Sequence, residues 1–189
     1  MVCKLKSILR LIIFFIVLSI CFFYVYKFYL KVSYPVKYYE YVSEFCEKYG
    51  VEKELAFAVM RTESNFKENA NSRAGAIGLM QIMPETFEWL QSNLREKNIK
   101  STEQLKEPKV NIDYGIYLLS LLKNRYTNET VALCAYNAGI GAVDRWLNDS
   151  SLSDDKRTLK KIPYDETRNY VLKVLNSKKK YKNLYFKNR

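Results

Sequence analysis

Between Arg10 and Lys27 the chain carries no charge: Leu11-Ile12-Ile13-Phe14-Phe15-Ile16-Val17-Leu18-Ser19-Ile20-Cys21-Phe22-Phe23-Tyr24-Val25-Tyr26. A helix this apolar all the way round has no polar face to turn to water, which points to lipid rather than a soluble core. Crossing the hydrocarbon of a bilayer takes about 20 mostly apolar residues, within a range of about 17–25. Ile8 and Leu9 bring the run into that range, while Arg10 and Lys27 can carry their charged ends outward. Tyr24, Tyr26 and Tyr29 suit an interfacial aromatic belt, and Lys4, Lys6 and Arg10 ahead of the run predict the N-terminus inside and the remainder outside. A cleaved signal would want small residues where Tyr24 to Tyr29 are bulky, and a lipid-attachment signal would want a small residue where Ile20 precedes Cys21. The reading is an uncleaved single-pass anchor over 1–30, then a short linker over 31–37 that contains Pro35.

Past the linker the pattern is helical. Tyr38 to Tyr49 reads as one helix closed by Gly50, and a second starts near Val51. A glycine-rich loop follows, then a helix from Pro84 to about Leu94 and a polar loop over Asn93 to Pro108. Asn111 to Arg125 is strongly periodic, with Tyr114, Leu118, Leu121 and Leu122 on one side. Glu129–Ala138 and Ile140–Leu147 form a pair hinged near Gly139. Asn148 to Lys161 is a polar loop, and Tyr164 to Asn176 a final helix. The expected architecture is all-α over 38–176, with room for a small β-hairpin in the glycine-rich loop, and a basic tail over 177–189.

Composition narrows the chemistry. The 189 residues include no histidine, which excludes Ser-His-Asp and Cys-His nucleophiles and zinc sites of the H-E-x-x-H kind. Carboxylates, hydroxyls, amides, lysines and thiols remain, an inventory that suits glycoside cleavage. Of the four cysteines, Cys3 and Cys21 belong to the apolar segment and its flank, and Cys46 and Cys134 fall in helical patterns, with no C-x-x-C spacing. The expectation for the last two is small buried thiols rather than a disulfide. The net charge is +11, and no acidic residue follows Glu166, so Lys173, Lys178, Lys179, Lys180, Lys182, Lys187 and Arg189 stand alone. Such an end is either a solvated terminus or a contact for anionic wall polymers or lipid head groups. No nucleic-acid motif accompanies it.

One carboxylate stands out. Leu55, Val59 and Thr62 mark the core-facing stripe of the second helix, and Glu63 lies four residues after Val59 on the same edge. Burial there favours the neutral acid, as a general acid requires near neutral pH. The alternative is a Glu63 turned to solvent or paired with Arg61 or Lys67. The loop after it, Ser72-Arg73-Ala74-Gly75-Ala76-Ile77-Gly78-Leu79-Met80-Gln81-Ile82-Met83-Pro84, holds two glycines that allow close backbone approach and ends on a proline suited to a helix start.

Four segments in order, Glu63-Ser64, Gly78-Leu79-Met80-Gln81, Ala135-Tyr136-Asn137-Ala138-Gly139 and Glu166-Thr167-Arg168-Asn169-Tyr170-Val171, resemble the SLT-type lytic transglycosylases of the lysozyme superfamily. The resemblance runs from about Tyr38 to Leu175. It implies a lysozyme-like helical domain that cleaves peptidoglycan glycan strands between N-acetylmuramic acid and N-acetylglucosamine; the expectation is a monomer without a cofactor, which the basic flank of the apolar segment places on the outer side of a bacterial cell membrane. Glu63 matches the single acid/base. Ser72 and Gln81 match positions that contact the substrate, and Met80 and Met83 match apolar positions of the groove, where core filling is the other reading. Tyr136 matches the tyrosine that approaches the catalytic carboxylate, and its hydroxyl is expected to hydrogen-bond Glu63. Asn137 matches a site residue or serves as a helix-end residue beside Gly139. Glu166 matches a glutamate directed to the sugar beside the cut, or pairs with Arg168; Tyr170 is expected to pack. Cys134 stands where the family usually has a smaller residue.

Two rivals share this framework. A hydrolase resembling goose-type lysozyme would need a further carboxylate in the cleft, with Asp113 and Asp165 as candidates. A wall-binding scaffold would keep the fold without turnover.

Overall fold

The computed structural model describes residues 2–95 and 98–187, with side chains from Arg10 onward. The chain divides into two units that meet between Pro35 and Val36. The first is a single helix, α1 (Val2–Ser33). Its stretch Arg10–Ser33, 24 residues of mean hydropathy 2.4, buries none of its apolar side chains. At 1.5 Å per residue that is about 36 Å of helix, enough for the roughly 30 Å of bilayer hydrocarbon. The helix continues through Lys31, Val32 and Ser33, which the sequence reading gave to the linker. Nothing in those residues breaks a helix; the break comes from Pro35, which pushes the residue before it out of helical geometry.

The second unit holds α2 (Tyr39–Tyr49), α3 (Lys53–Glu63), α4 (Pro84–Leu94), α5 (Pro108–Arg125), α6 (Glu129–Ala138), α7 (Ile140–Asn148) and α8 (Asp165–Tyr181). It is an all-α domain. Its centre is α3, where every residue from Leu55 to Met60 is buried. One amphipathic stripe would leave a side open; α3 is covered on all sides because α2 and α8 pack along it. α2 turns Val42, Phe45 and Cys46 inward and stops at Gly50, whose φ of 68° lets its N–H reach the Cys46 carbonyl. α5 lies along α2, joined by the Tyr49 hydroxyl donating to Asp113 at 2.7 Å and Ser120 Oγ donating to the Tyr49 carbonyl at 2.8 Å.

α8 runs antiparallel to α3. Its early residue Tyr170 lies by Glu63 at the end of α3. Its last residue, Tyr181, stacks on Phe57 with ring centroids 5.5 Å apart, and Lys178 pairs with Glu52, the residue before α3 begins. α8 therefore does not end at Asn176. Ser177 and Tyr181 are buried, a single π-helical turn (Lys182–Phe186) follows, and Phe186 stacks on Phe57 at 6.2 Å. The lysines around them hid this continuation in the sequence. A capped 3-10 turn (Thr102–Lys106) likewise interrupts the expected loop before α5 and buries Leu105. Cys46 and Cys134 are buried free thiols, and burial pushes both up to about 12.

Candidate active site

Glu63 is the last residue of α3, and the backbone beyond it turns sharply. The Ser64 N–H returns to the Met60 carbonyl at 3.1 Å, and Asn65 and Phe66 adopt left-handed φ values of 49° and 62° in succession. A bulky residue takes that conformation only under compensation. Here it comes from seating Phe66 in the core against Phe57, 6.4 Å between centroids. Ser64 Oγ donates to the Leu79 carbonyl at 2.7 Å, fastening the end of α3 to the glycine-rich loop.

That loop is held from within and from below. Ile77 makes single bridges to Asn71 and Ile82, and no strand forms among the described residues, so the expected hairpin is a tight loop instead. Gln81, with φ 50°, donates through Nε2 to the carbonyls of Gly78 at 2.8 Å and Ala70 at 3.1 Å. Ser72 Oγ accepts from the Ala76 N–H at 2.9 Å. Both residues thus fasten the loop itself. Beneath it lies Asn111, buried in the first turns of α5: its Oδ1 accepts from the Met80 N–H at 2.7 Å, and its Nδ2 donates to the carbonyls of Leu105 at 2.8 Å and Ile77 at 2.9 Å. Sequence reading missed Asn111, because an asparagine near a helix start reads as ordinary.

Met80 departs from the expectation. Its side chain is fully buried over Gly115, where an added β-carbon would lie 2.7 Å from Met80 Cβ. It fills core and leaves only its backbone at the site. Met83 is partly exposed and lines a groove of about 360 Å³ with Trp89, Leu118, Leu122, Tyr136 and Asn137. Asn137 enters that groove from the last turn of α6, just before Gly139, whose φ of 84° turns the chain into α7.

Two tyrosines close on Glu63, Tyr136 as expected and Tyr170 in addition. Tyr136 donates its hydroxyl hydrogen to the Met80 carbonyl at 2.8 Å rather than to Glu63. Tyr170, expected only to pack, turns a buried hydroxyl toward the Glu63 carboxyl, although this contact falls short of a formed hydrogen bond. Burial pushes Glu63 up to about 7, and the Tyr170 contact opposes part of that rise. Both phenols are held well above their ordinary range, by burial first and then by the charge Glu63 would carry. Among the described residues no second carboxylate affects Glu63. Asp113 is engaged by Tyr49 and Lys48 at the α2–α5 contact, and Asp165 is paired with Arg168 at 2.8 Å. Arg168 is thus paired with Asp165 and not with Glu166, the pairing that is the alternative reading of Glu166. Glu166 is exposed in the first turn of α8.

A half-buried acid near neutral acidity, set beside two phenols of which one, Tyr136, also lines the apolar groove, is equipped to give a proton to a leaving oxygen and take one back. The family described as the transglycosylase SLT domain matches residues 40–159. Membrane-bound lytic murein transglycosylase C of Haemophilus influenzae (strain PittEE) is 35% identical over 167 residues, covering 77% of this chain and 47% of the relative. Soluble lytic murein transglycosylase of Salmonella typhimurium is 33% identical over 148 residues, covering 77% of this chain and 23% of the relative. Among solved structures, the 70 kDa soluble lytic transglycosylase of Escherichia coli superposes with a TM-score of 0.73 at 30% identity, over 84% of this chain and 26% of that one. The chain belongs to the SLT transglycosylase domain family. It spans about half the length, or less, of the curated relatives it matches.

Proposed function

We propose that this chain is a peptidoglycan lytic transglycosylase that cuts the β-1,4 bond between N-acetylmuramic acid and N-acetylglucosamine. The observation that carries this reading is Glu63, a lone carboxyl held near neutral acidity by burial. In its protonated form Glu63 gives its proton to the departing glycosidic oxygen, a step that needs an acid whose pKa lies near the working pH. The N-acetyl group of the muramic residue assists departure. Glu63, now a carboxylate, takes the proton from the 6-hydroxyl of the same sugar, and that oxygen closes on C1 to leave a 1,6-anhydro end. No water is consumed, and the carboxyl is restored.

Glycosidases that use water or a covalent intermediate employ a pair of carboxylates. The engagement of Asp113 and Asp165 elsewhere favours the anhydro route over a goose-type hydrolase. In this reading Tyr170 and Tyr136 frame the acid, the Ser72–Gln81 loop forms one wall of the glycan cleft, Met83 and Asn137 lie along its floor, and Glu166 meets the sugar beside the cut. In the same reading α1 serves as a single-pass anchor, supported by its uncharged apolar stretch, and the basic residues Lys4, Lys6 and Arg10 ahead of it favour the domain on the outer side.

The test is mass spectrometry of peptidoglycan digested with the wild type and with Glu63→Gln. Products one water lighter than hydrolysed muropeptides, lost with the variant, are expected; full-mass reducing ends from the wild type would overturn the transglycosylase reading.

A further inference from the structure

The mechanism makes no use of the basic end of the chain, and the fold gives that end a definite place. Phe57, at the middle of α3, stacks with Tyr39 at 6.3 Å, Tyr181 at 5.5 Å and Phe186 at 6.2 Å. Tyr39 opens α2, four residues after Pro35, where the second unit begins. The last turns of the chain therefore pack beside the point at which the domain is entered from the apolar helix. Lys37, Lys179, Lys182 and Lys187 are all exposed there or on the adjoining end of α8, and Tyr39 is 38% exposed among them. Glu54, three residues before Phe57, is partly exposed. Glu68 is taken up by the Tyr38 hydroxyl, Glu52 and Glu129 are paired with Lys178, and Glu40 is exposed.

We propose that this lysine face is a binding surface for anionic lipid head groups, which seats the domain on the membrane that α1 enters. Lysines next to a spanning helix are drawn to anionic head groups within a Debye length of the surface. Tyr39 follows the end of α1 by six residues, a reach of at most about 20 Å of extended chain. The antiparallel pairing of α3 and α8 then fixes where the chemistry lies. Tyr170, beside Glu63, sits at the other end of α8 from Tyr181, about 16 Å away at 1.5 Å per residue.

The inference does not depend on catalysis, so its test reads lysine accessibility. The full chain is placed in nanodiscs of phosphatidylglycerol or of phosphatidylcholine, and amine acetylation is followed residue by residue. Slower labelling of Lys179, Lys182 and Lys187, by several-fold in phosphatidylglycerol alone, is expected. It should vanish at high salt and leave Lys67, just past the Glu63 end of α3, unchanged. Lys182→Glu with Lys187→Glu should erase the lipid difference at Lys179, and the paired Lys→Gln variant should weaken it. Equal labelling in the two lipids would overturn the proposal. So would protection produced only by added polyglycerol phosphate, which would assign the face to a wall polymer.

Discussion

The side chain of Asn111 occupies the space that a β-carbon on Gly78 would need. Such a carbon would lie 2.6 Å from the Leu105 carbonyl and closer still to Asn111 Nδ2. Glycine at 78 therefore serves the fold twice, allowing a φ of 81° and admitting the amide that pins the loop to α5.

Asn111→Ala would leave the Met80 N–H and the carbonyls of Ile77 and Leu105 buried without that amide. An orphaned buried polar group costs about 1–3 kcal/mol. Denaturant titration is expected to show a loss of several kcal/mol. Gly78→Ala should be at least as damaging, since it adds the collision to an unfavourable φ.

Glu63 weakens the fold when it ionises. Its acidity is normal in the unfolded chain and shifted to about 7 in the folded one. The stability it leaves intact below about pH 4.5 is lost as the pH climbs to 7, on the order of 3 kcal/mol. Glu63→Gln removes this loss. The variant should match the wild type near pH 4 and be the more stable protein at pH 8, with turnover reduced by about 10²–10⁴-fold.

The same group sets the pH profile. Activity that begins with protonated Glu63 should fall on the alkaline side with an apparent pKa near 7. The Tyr170 contact opposes the rise in that pKa, so Tyr170→Phe should move the alkaline limb to higher pH. A rate profile on a soluble glycan fragment, measured for both proteins, checks the direction. A purely packing role for Tyr170 would leave the limb in place.

Removal of residues 177–189 tests where the domain ends. It deletes the buried Tyr181 and the Phe186 ring that cover Phe57. Losing a buried aromatic costs about 3–5 kcal/mol. A melting temperature unchanged by the truncation would mean that the end is a dispensable tail.

Much of this was legible in the chain. The stripe of Leu55, Val59 and Thr62 placed Glu63 at a buried edge, and Gly78 and Pro84 marked a tight loop before a helix. What escaped reading depends on contacts distant in sequence. Asn111 carries no local sign of the carbonyls it meets from positions 77 and 105. Tyr136 and Tyr170 both come to Glu63 from helices far along the chain, α6 and α8, and which hydroxyl turns to the carboxyl depends on that packing. The end of α8 looked like a solvated tail because lysines outnumber the few aromatics that anchor it.

Glu63 is also the terminal residue of its helix, and that position has an electrical meaning. The carbonyls at the C-terminal end of α3 concentrate partial negative charge, equivalent to roughly half an electron, and oppose an anion placed among them. The helix end therefore acts in the same direction as burial, and side-chain substitution does not reach it. Variants around the cleft should shift the acidity of Glu63 without returning it to that of a free glutamate, so long as α3 still ends where it does.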